Sequence, residues 1–99
     1  MSYLCLIEIQ LHFPENGSLK GKRKELVSLK AQLGRRFGAA VAETDHHELW
    51  QRAELTAVLV GREAGDVSRR GSELERFVHA RFPGSAGITN HLRSREDLL

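Results

Sequence analysis

A group of basic residues follows a serine near the start of the chain, and this arrangement suits the binding of phosphate. Ser18 is a good N-cap residue, because its hydroxyl can accept a hydrogen bond from a free amide in the first turn of a helix. Free amides and the positive end of the helix dipole attract anions there. RNA is a natural source of closely spaced phosphates. The residues predicted to bind phosphate are Ser18, Lys20, Lys22, Arg23 and Lys24.

The same cations also fit an ordinary solvated helix face. Helical spacing directs Lys20 and Lys24 outward, whereas Lys22, Arg23 and Lys30 fall on or beside the apolar stripe. Those three side chains would then lay their aliphatic stems over the core. RNA binding and a solvated helix face both remain open at this point.

The stretch Asp45-His46-His47-Glu48 contains residue types that ligate metals. Adjacent histidines on a helical turn point apart, however, and no second cluster of Cys or His supplies further ligands. Asp45 is instead predicted to cap a helical turn, with Glu48 reaching back. Leu49 and Trp50 would tuck that turn onto the domain. We therefore expect no metal and no cofactor.

The elements that position these residues follow from hydrophobic periodicity. Tyr3 to Phe13 alternates with period two, as in a strand, whereas leucines recur at helical spacing after Ser18 until Gly38 stops the helix. Asp66 is predicted to cap the second helix. Strands are predicted over residues 3–13, 40–45, 53–61 and 88–95, and helices over residues 19–37 and 67–82.

The predicted order β-α-β-β-α-β closes most simply as a ferredoxin-like α+β sandwich. Right-handed crossovers place both helices on one face of a four-stranded antiparallel sheet, with the first and third strands at its centre. No element remains to cover the opposite face, so we expect a homodimer or another partner there. The predicted interface residues are Leu4, Leu6, Thr56, Val58 and Val60.

Length and composition limit the class of protein. A chain of 99 residues, 40% hydrophobic and 28% charged, predicts one globular domain spanning residues 1–99. No apolar run is long enough to span a bilayer, no signal peptide is evident, and one cysteine makes no internal disulfide, so we expect a cytoplasmic protein. Residues 18–38 carry seven basic residues against one acid, whereas residues 39–66 carry six acids against two basic residues. The basic segment favours a phosphate-rich partner.

Two stretches resemble a known family. Residues 18–23, Ser-Leu-Lys-Gly-Lys-Arg, are similar to the "SLKxKR" signature of the YlxP-like family, also called domain of unknown function 503. Residues 42–53 resemble its "AE-x-DH-x-x-LWQRA" stretch. In the first motif, Gly21 stands where family members usually have an acidic residue. The positions matching the second motif include Glu43, Asp45, His46, Leu49, Trp50, Gln51 and Arg52.

The resemblance implies a ferredoxin-like fold and no established reaction. Bacterial genes of the family often lie near genes for translation initiation and ribosome-binding factors, which implies a link to translation or ribosome maturation. We therefore expect a small non-enzymatic factor that binds RNA or another polyanion. Since the open sheet face has no aromatic residue, this binding should be led by the RNA backbone and weakly sequence-specific.

The alternative is a dimeric enzyme or ligand-binding protein with a pocket on the open sheet face. Glu8, His12 and His47 would then be the candidate acids and bases. Cys5 falls on the core face, so we interpret it as a packing residue rather than a nucleophile.

Overall fold

Alternation along the first strand decides which face of the sheet is buried. The computed structural model describes residues 1–99, and in it Cys5, Ile7, Ile9 and Leu11 point to the helices and are buried. The matching residues of the third strand, Leu55, Ala57 and Leu59, are fully buried as well. These two central strands therefore form the floor of one hydrophobic core.

The element order is β1 (Tyr3–His12), α1 (Leu19–Phe37), β2 (Ala40–Asp45), β3 (Arg52–Gly61), α2 (Ala64–Arg81) and β4 (Ala86–Ser94), followed by a short 3-10 helix (Arg95–Leu98). All neighbouring strands are antiparallel, in the order β2-β3-β1-β4. This confirms the predicted ferredoxin-like fold, with β1 and β3 central and the polar β4 at an edge. No helix is both long and apolar enough to cross a membrane.

Both ends of α1 follow the sequence prediction. The Ser18 hydroxyl accepts a hydrogen bond from the Gly21 amide at 3.0 Å. Gly38 ends the helix in the left-handed conformation, at φ 69°, where glycine has no steric penalty. The ends of α1 are therefore determined locally.

Two element starts differ from the predictions by two residues or more. Helix α2 begins at Ala64 with Glu63 as its N-cap, rather than after Asp66. Asp66 lies inside the first turn and pairs with Arg69 at 2.8 Å and with Arg70 at 3.6 Å. Its negative charge is still favourable there, because it faces the positive end of the helix dipole. Strand β4 begins at Ala86, earlier than predicted.

Helix α2 approaches the sheet closely at Gly71, which lies beside the buried apolar residues of this helix. A Cβ added there would lie 2.8 Å from Asn90 Nδ2 and 3.2 Å from Cys5 Sγ. Such short contacts would push α2 away from β1 and β4.

Candidate functional site

The two stretches that carry the family resemblance meet at one end of the molecule. Lys22 of α1 is only 1% exposed, and its ammonium group points into the connection between β2 and β3. It donates to the carbonyl oxygens of His46 at 2.7 Å, Arg52 at 3.2 Å and His47 at 3.3 Å. One lysine thus ties the start of α1 to a connection more than twenty residues away.

A carboxylate balances the charge of this lysine. Glu43 Oε2 lies 3.2 Å from Lys22 Nζ, within ion-pair distance but away from the directions of a hydrogen bond. The three carbonyls take the three N–H donors, so Glu43 contributes through charge. Its other oxygen lies 2.8 Å from His47 Nδ1. This Lys22–Glu43–His47 group lies on the helix side of the sheet, since Glu43 pairs with Leu55 of the core face.

The other end of the same connection is fastened to the segment before α1. The Asn16 side-chain amide donates to the Trp50 carbonyl at 2.6 Å and to the Ser18 carbonyl at 2.7 Å. The Gln51 side chain donates to the carbonyls of Pro14 and Asn16, both at 3.2 Å. A Cβ at residue 21 would collide with the Asn16 side chain, so Gly21 leaves room for this bridge.

The connection is a turn and not the helical turn predicted from its acidic residues. His46 has a φ of 64°, and the chain reverses through a bond from the Leu49 amide to the His46 carbonyl at 3.1 Å. Asp45 Oδ1 accepts from the adjacent His46 amide at 2.7 Å, so the predicted reciprocal capping with Glu48 is wrong. Leu49 and Trp50 are exposed rather than packed onto the domain.

The predicted phosphate site is changed by the burial of Lys22. Its ammonium is enclosed by protein oxygens, so assigning Lys22 to phosphate binding is wrong. Arg23, whose stem the alternative interpretation laid over the core, is exposed beside Lys20 and Lys24. These three side chains have no carboxylate partner, whereas the neighbouring Glu25 pairs with Arg81 at 3.3 Å. The accessible cations of this site are therefore Lys20, Arg23 and Lys24.

The two histidines of the connection lie beside different carboxylates. His47 faces Glu43, and His46 Nδ1 lies 3.8 Å from Asp45 Oδ1. The molecule contains no group of three or more His, Cys, Asp or Glu side chains placed to share a metal ion.

The open face of the sheet is apolar at one end and polar at the other. Leu4 and Leu6 lie opposite Val60 and Val58, and Ala40 of β2 flanks Val58. Val60 is 63% exposed. Toward the other end, Gln10 bonds Glu54 at 2.5 Å, and Thr56 bonds Thr44 at 2.9 Å. The five residues predicted as an interface, Leu4, Leu6, Thr56, Val58 and Val60, therefore lie together and uncovered in the single chain.

The candidate acids and bases do not converge on one pocket. Glu8 and His12 lie on the open face, with Glu8 3.6 Å from His91 Nε2, whereas His47 lies on the helix side. His12 borders an open depression of about 430 Å³. Its lining residues are His12, Glu48, Leu49, Trp50, Gln51 and Arg52.

Cys5 is a packing residue with a suppressed thiolate. Burial raises the pKa of its thiol, which the charge of Arg70 offsets in part. The thiol points to the Val67 carbonyl at 3.7 Å. This geometry agrees with its predicted place in the core.

The raised pKa predicts a loss of stability in alkaline solution. Below the thiol's ordinary value of 9.0 both states are protonated, and this group's contribution is fully present. Above that value only the unfolded chain ionises, so the free energy of unfolding falls as pH rises toward the folded pKa. Urea unfolding at about pH 8 and about pH 10 measures the fall. A Cys5→Ala variant should lose less stability over this interval, and an equal loss in both proteins would contradict the assignment.

Sequence reasoning missed the residues that fix this site. In the sequence, Asn16 belongs to an Asn-Gly pair typical of turns, and Gln51 is marked only by its position in the second motif. Their contacts lie 34 and 35 to 37 residues away along the chain. The signal that could have identified these two residues is an amide side chain beside a turn, because such side chains donate hydrogen bonds to loop carbonyls.

Comparison with known proteins identifies the fold and the family. No curated protein matches the chain. Among solved structures, the designed protein Foldit4 is 8% identical and has a TM-score of 0.62, covering 96% of this chain and 99% of its own. The 30S ribosomal protein S6 from Thermotoga maritima is 12% identical, with a TM-score of 0.54 and coverage of 96% and 91%. SnoaB, a cofactor-independent oxygenase from Streptomyces nogalater, is 10% identical, with a TM-score of 0.53 and coverage of 95% and 93%.

A designed scaffold, a ribosomal protein and an oxygenase share this architecture, so these likenesses establish the fold alone. The family described as "Protein of unknown function (DUF503)" matches residues 4–90, nearly the whole chain. This match confirms the resemblance drawn from residues 18–23 and 42–53. The chain therefore belongs to the DUF503 family.

Proposed function

We propose that this protein is a small non-enzymatic cytoplasmic factor that binds RNA through the exposed cations at the start of α1. The observation that carries the proposal is the set of Lys20, Arg23 and Lys24, all exposed and all without a carboxylate partner. We place its action near the translation machinery, as the family resemblance implies.

Helical geometry groups the three cations on one surface. Arg23 and Lys24 follow Lys20 by three and four residues, and side chains at those spacings are neighbours on a helix. The buried Lys22 is neutralised by Glu43, so it neither adds to this cluster nor competes with it. Three adjacent uncompensated positive charges attract a phosphate backbone more strongly than the chain's net charge of +2 suggests.

Charge reversal of this cluster tests the proposal. We expect the triple variant Lys20→Glu, Arg23→Glu and Lys24→Glu to bind RNA at least about tenfold more weakly. With fewer phosphate contacts, its binding releases fewer counterions from the RNA. Fluorescence anisotropy of a labelled single-stranded RNA of about 12 nucleotides measures the affinity. Between about 50 and 200 mM salt, the slope of log affinity against log salt should become shallower by roughly 2.

A matched variant separates local contacts from net charge. Arg62, Arg76 and Arg95 are exposed on other elements and have no carboxylate partner. Reversing these three changes the net charge equally and should leave most of the affinity intact. Equal losses in the two triple variants, or no RNA binding by the unmodified protein, would contradict the proposed site.

The uncovered apolar end of the sheet favours a second property, self-association. We propose that two copies pair through Leu4, Leu6, Thr56, Val58 and Val60. Leu6 and Val60 are exposed and the other three are half-buried, so removing water from their side chains gains free energy. Sedimentation equilibrium of the intact chain tests this pairing. A mass near twice 11.1 kDa supports it, and a single-copy mass across the accessible concentrations contradicts it.

The pocket enzyme remains the alternative function. It requires Glu8 and His12 to be enclosed together when two open faces meet, because the single chain offers only open depressions near them. Glu8→Gln would remove such an activity while leaving RNA binding unchanged, because Glu8 lies outside the depression beside Trp50.

A further inference from the structure

Trp50 is the one aromatic side chain of the chain that is exposed. The residue is 55% exposed, although a buried tryptophan side chain normally contributes much to the stability of a fold. The other Phe and Tyr rings are buried or half-buried and pack against the core, for example Phe13 against Phe82 at 5.8 Å and Phe37 against Phe77 at 5.7 Å. The exposure of Trp50 is therefore exceptional within this molecule.

The backbone beneath this ring is held at several points. The Trp50 carbonyl accepts from Asn16, and the Gln51 carbonyl accepts from the Phe13 amide at 2.8 Å. Lys22 holds the carbonyls of His46 and Arg52 on either side. An exposed ring on a fixed backbone loses little conformational freedom when a ligand stacks on it.

We propose that Trp50 stacks an unpaired base of single-stranded RNA, with Lys20 and Arg52 taking the adjacent phosphates. This inference rests on the proposed RNA binding and adds the kind of RNA and the place where a base is held. Every nucleobase has a π-face, so stacking on one tryptophan fits the weak sequence preference expected from the backbone contacts.

The surroundings of the ring offer two exposed cations for phosphates and enough room for a base. The same Asn16 amide bonds the carbonyls of Trp50 and Ser18, which places the ring's backbone beside the first turn of α1 and its cation Lys20. Arg52 lines the depression next to the ring, is exposed and has no carboxylate partner. Glu48 is the one acid in the lining. The volume of about 430 Å³ lies in the range of small-ligand sites, so it admits a base.

The open sheet face has no aromatic residue, which agrees with a stacking site at Trp50. Bases cannot stack there as they do on the central strands of RNA-recognition domains. Stacking at the β2–β3 connection leaves the apolar face free for a second copy of the chain. A duplex keeps its bases stacked internally, so Trp50 should contribute only to the binding of single strands.

Intrinsic fluorescence provides the direct test, because the chain contains a single tryptophan. We expect titration with a mixed-sequence single-stranded RNA to quench its emission, and a duplex of the same sequence to leave the emission nearly unchanged. Trp50→Ala should weaken single-strand binding roughly 5- to 100-fold, whereas Trp50→Phe should retain most of the affinity. Leu98→Ala is the matched control, since Leu98 is 64% exposed and lies outside the depression, so the change removes exposed apolar surface without removing a π-face. The salt slope should stay unchanged in Trp50→Ala, because stacking neutralises no phosphate.

The outcomes distinguish this inference from the RNA binding on which it rests. If labelled RNA binds while the emission and the Trp50→Ala affinity stay unchanged, the stacking inference is overturned and RNA binding stands. If no RNA binds, both are overturned. Emission that changes with protein concentration alone, and not with RNA, would assign Trp50 to a protein contact and would also overturn the inference. Far-ultraviolet circular dichroism of each variant checks that it is folded.

Discussion

Replacing Lys22 by alanine is expected to lower the free energy of unfolding by about 3 kcal/mol. The change removes the positive partner of Glu43, whose side chain is largely buried and whose other close neighbour is the His47 imidazole at 2.8 Å. It also removes the donor to three carbonyl oxygens of the β2–β3 connection. Breaking a buried ion pair from one side is costly, because the remaining charge stays desolvated.

Urea unfolding followed by circular dichroism measures this effect, and two further variants assign its cause. Lys22→Met keeps most of the buried aliphatic stem, so its loss reports mainly on charge and hydrogen bonding. Adding Glu43→Gln to Lys22→Met should restore part of the stability, because the uncompensated charge is gone. Lys20→Met is the exposed control and should change the free energy of unfolding by less than about 0.5 kcal/mol. A Lys22→Met protein as stable as that control would show that the buried ammonium contributes nothing.

The role of Lys22 joins stability to the proposed function. Its stem belongs to the helix that carries the exposed cations, and its ammonium holds the connection that carries Trp50. Loss of Lys22 should therefore loosen Trp50 relative to Lys20 even where the fold survives. The two groups proposed to contact RNA would then no longer be presented together, so RNA binding should weaken although the ammonium of Lys22 is buried.

The fold could be predicted from the sequence because its determinants are local and repetitive. Alternation in β1, leucines at helical spacing in α1 and the cap at Ser18 each depend on residues within a few positions of one another. Both faces of β3 are apolar at its centre, a pattern typical of a central strand, and β3 is central in the sheet. Gly38 and Gly71 likewise had roles that neighbouring residues indicate.

The candidate site could be predicted only in part, because its contacts join distant segments. Lys22 has the same side chain as Lys20, and its burial is favourable because of the Glu43 carboxylate and of carbonyls 24 to 30 residues away. Asp45 and Glu48 have the spacing of a helix cap, yet His46 adopts a left-handed conformation that starts a turn instead. Cap patterns cannot detect this, since a single residue with positive φ redirects the chain.

Val58→Asp should convert a self-associated protein into single copies. Val58 lies on the open face of the central strand β3, between Leu6 of β1 and Ala40 of β2. In a symmetric pair each copy would bring one carboxylate into the contact, where it would lose water without gaining a cation. We expect association to weaken by about 3 kcal/mol or more, which corresponds to roughly 100-fold.

The substitution leaves the single chain folded, because the side chain points away from the helices and the core. Its intrinsic cost in a strand is at most about 1 kcal/mol. Val27→Asp provides the matched control. Val27 is 65% exposed on α1, so this substitution introduces the same charge away from the sheet. Sedimentation equilibrium should show single copies for Val58→Asp and unchanged association for Val27→Asp. Because Trp50 and Lys20 lie outside the open face, RNA affinity per chain should survive in the dissociated protein, and its loss there would mean that the two surfaces do not act independently.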